Sequence, residues 1–181
     1  MRILLINICK EELHSFEFVE PVKSVVRDLE MNFFEKHYSQ LSERDLKRAD
    51  KIIICGTSLL DNEFIKNMEK FSWIKEINKP VLGICGGMQI IGLLFGGKIR
   101  KMSEIGFYSE YFEKEFLGLL EKNEVYHLHN NYVDFNKLKM FEVYCGKEFS
   151  QAVKHREKEI YGVLFHPEVR EKDLIANFCL L

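Results

Sequence analysis

The segment Pro80-Val81-Leu82-Gly83-Ile84-Cys85-Gly86-Gly87-Met88-Gln89 constrains this chain more than any other. An apolar run of strand type passes directly into a helical pattern, with a cysteine at the junction and a glycine two positions to either side. So sharp a turn forces its central residue into a strained backbone region, and only small neighbours avoid collision there. The cysteine side chain is then exposed at the C-terminal edge of a sheet. A helix N-terminus adds partial positive charge and free N–H groups, which favour a thiolate. Composition alone would produce this glycine-cysteine-glycine spacing by chance only about 2 times in 100 in a chain of this length. The competing reading is a buried cysteine in a glycine-rich turn of a doubly wound sheet.

The pattern around this segment fits such a sheet. Arg2 to Ile8 reads as a strand, and Phe18, Val22, Val25, Val26 and Leu29 repeat at helical spacing within Glu17 to Met31. Phe33 to Tyr38 and Lys51 to Cys55 read as two more strands, the second of the fully buried type. Asn62 to Ile77 has helical periodicity, Val81 to Cys85 is a strand, and Gly87 to Phe95 is a helix stopped by Gly96-Gly97. Strand and helix thus alternate over the first hundred or so residues, as in a parallel sheet covered by helices on both faces. The second half carries short strand-like runs near 105–112, 124–128, 141–145, 151–155 and 160–165, and a helix over Lys172 to Leu181. The expected architecture is a flavodoxin-like three-layer α/β sandwich with a mostly parallel central sheet and additional antiparallel strands in the second half, over one domain spanning 1–181.

Composition narrows the function classes. With 26 Lys+Arg against 28 Asp+Glu in 181 residues, the net charge of −2 argues against a basic surface for nucleic acid. No apolar run reaches the length needed to span a bilayer, and the N-terminal residues lack a targeting signal, so a cytoplasmic location is expected. Five cysteines, an odd number without a C-x-x-C pair, suit reduced thiols. His127-x-His129 alternates on one strand face, but no further Cys, His or Asp follows at ligand spacing, so neither a metal site nor a cofactor is expected. The charge run from Lys154 to Glu159 reads as a solvated hairpin turn.

A second segment complements the cysteine. Tyr161-Gly162-Val163-Leu164-Phe165-His166-Pro167-Glu168 is an apolar strand ending in histidine, with a carboxylate two residues on. A thiolate nucleophile needs an imidazole partner, and that ring needs an acceptor to orient it; Pro167 fixes the backbone between His166 and Glu168.

Together the two segments resemble the hallmarks of the class I, or Cys-His-Glu triad, glutamine amidotransferases. Gly83 to Gln89 is similar to the family's Gly-x-Cys-x-Gly-x-Gln elbow, and Gly162 to Glu168 to its Gly-Val-Gln-Phe-His-Pro-Glu. Weaker echoes are Glu104-Ile105-Gly106-Phe107 and the segment Leu128-His129-Asn130-Asn131-Tyr132-Val133, which resembles the loop that holds the glutamine backbone. The likeness covers essentially the whole chain and is nearest in feel to amidotransferases of the GMP synthetase type. It implies a triad of Cys85, His166 and Glu168, an oxyanion hole at Gly56 and Gly86, and substrate contacts from Gln89, Leu128, His129, Asn130 and Asn131. It also implies hydrolysis of the L-glutamine side-chain amide through a thioester, with ammonia passed to a separate synthetase. Where the family has Gly-Gly-Pro after the third strand, this chain has Cys55-Gly56-Thr57-Ser58, so the Thr57-Ser58 loop is expected to be incompletely organised. Two alternatives stay open: a partner-independent hydrolase of γ-glutamyl or other small amides, and an inactive homologue acting as a binding module.

Overall fold

The computed structural model describes residues 1–146 and 148–181. Five strands form its parallel half: β1 (Arg2–Asn7), β2 (Asn32–His37), β3 (Lys51–Ile54), β4 (Val81–Ile84) and β9 (Ile160–Val163). Four more strands lie between β4 and β9 in sequence: β5 (Ile99–Phe116), β6 (Leu119–Val133), β7 (Phe141–Cys145) and β8 (Ala152–His155). All nine share one sheet, in the order β2-β1-β3-β4-β9-β8-β7-β5-β6. The pairings from β2 through β9 are parallel, and those from β9 outward are antiparallel. The sheet is therefore mixed half and half. The expectation of a mostly parallel sheet holds only for the half that carries the cysteine turn.

The layers follow from alternation along the buried strands. Ile3, Leu5, Ile53, Leu82 and Ile84 face one side, where they meet α2 (Glu20–Asp28) and α5 (Lys172–Leu180). Leu4, Ile6, Ile52, Ile54 and Val81 face the other, where they meet α4 (Gly86–Leu94) and the segment Glu63–Lys75. Residues buried on both faces explain why β1, β3 and β4 read as continuous apolar runs. Short α1 (Ser15–Phe18) leads into α2, which has Pro21 in its first turn, where a missing N–H is harmless. At the end of α4, Gly97 N–H donates to the Gly92 carbonyl and Gly96 N–H to that of Leu93, with Gly96 at φ 94°. This pair of bonds is the glycine stop anticipated at Gly96-Gly97.

Three departures from the sequence expectation have local causes. The segment Glu63–Lys75 is a run of 3₁₀ turns interrupted at Asn67, not one helix. The Asn67 amide donates to the Glu63 carbonyl at 3.0 Å and to the Tyr38 hydroxyl at 3.3 Å, competing with the helical bond of that turn. A short helix α3 (Glu43–Arg48) precedes β3, started by reciprocal bonds between Ser42 and Asp45. Finally, the runs near 105–112 and 124–128 belong to one long hairpin, β5 and β6, closed by Leu117-Gly118, both at positive φ.

Lys51 is buried beneath the sheet, and its ammonium donates to the carbonyl oxygens of Phe178 and Cys179 at 3.1 and 2.7 Å and to Leu181 at 2.8 Å. Burial holds its pKa below the usual lysine value, while the negative end of α5 satisfies its donors. Replacing Lys51 with Met should lower the free energy of unfolding by about 1–3 kcal/mol in urea melts. An unchanged midpoint would show that this cap contributes nothing.

Candidate active site

β4 ends at Ile84 and α4 begins at Gly86, leaving Cys85 alone to make the turn, at φ 48° and ψ −101°. The flanking glycines make this possible. A Cβ on Gly83 would lie 2.5 Å from the Gly87 backbone, and one on Gly87 would lie 2.5 Å from the Ile54 carbonyl oxygen. Helix α4 is thus pressed onto β3 and β4 more closely than any side chain would allow. Gly86 is similarly confined, its missing Cβ only 2.7 Å from Ile8.

His166 arrives from the neighbouring strand. Because β4 and β9 pair in register, with Ile84 opposite Val163, the residues beyond each strand emerge side by side. The His166 N–H donates to the Tyr126 carbonyl at 2.8 Å, which pins the chain just past β9 against β6. Its Nδ1 lies 2.7 Å from Glu168 Oε1, and both side chains are fully enclosed. Nε2 is buried without a hydrogen-bond partner among the described residues, and Cys85 lies within electrostatic reach of the ring. Burial alone would push the His166 pKa down, but Glu168 and Cys85 outweigh it and hold the imidazole well above its ordinary value. Gly56 packs against the pair: a Cβ there would sit 2.6 Å from His166 Cε1 and 3.6 Å from the Cys85 Cβ.

A cleft of about 250 Å³ opens in front of Cys85. Gly86 and all five residues expected to contact substrate line it: Gln89, Leu128, His129, Asn130 and Asn131. The Cys85 thiol points at the Leu128 carbonyl at 3.7 Å, and the Gln89 amide donates to the Asn131 carbonyl at 2.9 Å. These contacts tie α4 to β6, so the elbow and the strand facing it form one rigid wall. The His129 ring is engaged elsewhere, its Nε2 bonded to Glu104 at 3.0 Å. His166 and Glu168 stand behind Cys85 and do not line the cleft.

Asp61 is the residue sequence reasoning missed. Its carboxylate accepts from the Lys10 N–H at 2.5 Å, the Thr57 hydroxyl at 2.8 Å and the Glu63 N–H at 3.2 Å. The loop expected to be poorly organised is therefore tied at both ends. Asn62 and Phe64 complete that wall of the cleft. The only sequence hint was an Asp-Asn pair just ahead of an apolar periodic stretch, the usual position of a helix-start acceptor.

The other four thiols are chemically quieter. Burial pushes Cys9 and Cys179 up to about 11 and raises Cys55 and Cys145 as well, the last with help from Glu110. A glutamine-like chloroketone or diazoketone should accordingly label Cys85 alone, as read by peptide mass spectrometry. Labelling at any other cysteine while Cys85 stays free would remove Cys85 as the nucleophile.

Comparison with known proteins gives a consistent result. Residues 17–179 match the family described as glutamine amidotransferase class-I. The chain is 38% identical over 146 residues to a Pyrococcus abyssi protein named as one component of a two-part, glutamine-hydrolyzing GMP synthase, covering 72% of this chain and 74% of the relative. It is 29% identical over 175 residues to the glutamine-hydrolyzing GMP synthase of Spiroplasma kunkelii, covering 90% of this chain but only 33% of that enzyme's length. A solved structure from Thermoplasma acidophilum, provisionally named for the same GMP synthase component, superposes with a TM-score of 0.85 over 98% of this chain and 92% of that one, at 23% identity.

Proposed function

This chain belongs to the class-I glutamine amidotransferases, and from that membership we propose that it hydrolyses the side-chain amide of L-glutamine and hands the ammonia to a separate synthetase. The observation that carries the reading is the enclosed His166–Glu168 pair, 2.7 Å apart, behind a cysteine held in a strained turn at the head of a helix.

Each residue then has a task. His166, held protonated beside Glu168, stabilises the Cys85 thiolate as an ion pair. The thiolate sulfur attacks the side-chain carbonyl carbon of glutamine, and the charge that forms on the oxygen is taken up by the Gly56 and Gly86 N–H groups. His166 gives its Nε2 proton to the departing nitrogen, so ammonia leaves and a γ-glutamyl thioester remains on Cys85. A water that loses its proton to His166 then attacks the thioester; glutamate departs and the thiolate is restored. Gln89 and the backbone of Leu128 to Asn131 hold the amino-acid end of the substrate. Glu168 keeps the imidazole in the tautomer and orientation that these transfers need.

The synthetase as acceptor is supported by what the relatives are named for. The Pyrococcus abyssi protein of similar length is one component of a GMP synthase, while the Spiroplasma kunkelii enzyme carries the matching region within a chain about three times as long. We assign this chain to the same division of labour, with a GMP-forming synthetase as the partner.

Ammonia release from L-glutamine, measured with and without the synthetase, tests the assignment. Cys85→Ser and His166→Ala should each cut turnover by about a thousandfold or more, and Glu168→Gln by about ten- to a hundredfold, because orientation is worth less than proton transfer. Unfolding curves for the three variants should overlay the parent within about 1 kcal/mol. Full activity in both the His166 and Glu168 variants would reduce that segment to a strand terminus.

A further inference from the structure

Strand β6 has two faces at the candidate site, and only one serves the cleft. Leu128 presents its carbonyl to Cys85, while its neighbours His127 and His129 project together from the opposite side of the strand. There they meet Glu104, which lies across the hairpin on β5 in register with His129. These three residues bring ligand atoms within 4.8 Å of one another.

The distances suit an ion more than a hydrogen-bonded network. Glu104 Oε2 is 3.0 Å from His129 Nε2 and 3.5 Å from His127 Nδ1. Ligands at about 2.0–2.1 Å from a tetrahedral centre stand roughly 3.3 Å apart, and the two observed spacings bracket that value. His127 is completely enclosed, yet neither of its ring nitrogens has a hydrogen-bond partner among the described residues; His129 is 2% exposed and its Nδ1 is likewise unpartnered. Buried polar atoms left without partners are uncommon, and each calls for an occupant.

The surroundings supply the remaining parts of a metal centre. Glu110 Oε1 lies 3.4 Å from His127 Nε2, placed to orient the ring once Nδ1 is coordinated, and Glu110 in turn accepts from the Cys145 thiol at 3.4 Å. Gln151 donates to Glu104 Oε2 at 2.8 Å, while its own Oε1 is buried without a partner among the described residues. A turn of that amide would offer an oxygen to a fourth position. Two neutral imidazoles with the carboxylates of Glu104 and Glu110 balance the charge of one divalent cation.

We propose that Glu104, His127 and His129 form a site for a single divalent transition ion of the zinc class, clamping β5 to β6 behind the strand that faces Cys85. The two-nitrogen, one-oxygen ligand set favours zinc over magnesium or calcium, which prefer all-oxygen shells. The hairpin register shifts between Lys101 and Glu104, just where the clamp would hold it. The pair His127-x-His129 gave no sign of this in the sequence because its third partner comes from the opposite strand. The site does not depend on glutamine hydrolysis.

The test uses the full chain, stripped with a chelator and then titrated with ZnCl2, and with CoCl2 as a spectroscopic probe. The expected result is one equivalent of zinc bound, a tetrahedral cobalt spectrum, and a thermal midpoint raised by about 5–10 °C at a hundredfold excess over Kd. Glu104→Gln and His127→Ala should each weaken zinc at least tenfold and abolish the cobalt spectrum, whereas His155→Ala should change neither. If His127→Ala fails to fold, Glu104→Gln alone still decides. Zinc that leaves the midpoint unmoved, or binding that survives both variants, would overturn the proposal and leave the cluster as a metal-free His–Glu network.

Discussion

Cys85 is held at φ 48°, a conformation that costs a side chain larger than glycine roughly 1–3 kcal/mol, and the surrounding packing denies it any relaxation. Gly83 and Gly87 bring α4 against β3 and β4 so closely that one added carbon on either would strike main-chain atoms at 2.5 Å. The turn cannot open without separating the helix from the sheet. Everything near the site inherits this constraint: the thiol is aimed at β6, Gly86 sits at the head of a helix, and Gly56 is left with room only for an imidazole edge.

The two halves of the sheet divide the work. The parallel half, β2-β1-β3-β4-β9, delivers the ends of adjacent strands to one edge, so Cys85 and His166 need only a common register to meet. The antiparallel half brings β6 across that edge through the bond from His166 N–H to Tyr126 and the bond from Gln89 to Asn131. A parallel sheet alone would leave the cysteine open to solvent on the side where a substrate's polar end must be held. The long hairpin supplies that missing wall, at the cost of a local irregularity before Glu104.

Much of this was readable from residues. The elbow, the His-Pro-Glu strand end and the glycine stop of α4 each rest on a local rule, so their positions are foreseen to within a residue or two. What escaped depends on partners distant in sequence. The break at Asn67 needs the Tyr38 hydroxyl 29 residues away, and the order in the Thr57 loop needs the Asp61 carboxylate to reach Lys10, 51 residues away. The hairpin's length was hidden because β5 and β6 are mostly exposed strands whose alternation is masked by polar residues on both faces. The antiparallel share of the sheet was underestimated for the same reason. Ser42 and Asp45 are the exception: their cap is local, and its spacing stood in the sequence.

The central claim is that Cys85 carries the acyl group, and direct observation of the intermediate tests it most closely. Protein mixed with L-glutamine, quenched in acid within the first turnovers and digested, should yield the Cys85 peptide bearing a γ-glutamyl adduct that hydroxylamine removes. Release of ammonia with no adduct on Cys85, or with an adduct on another residue, would contradict it.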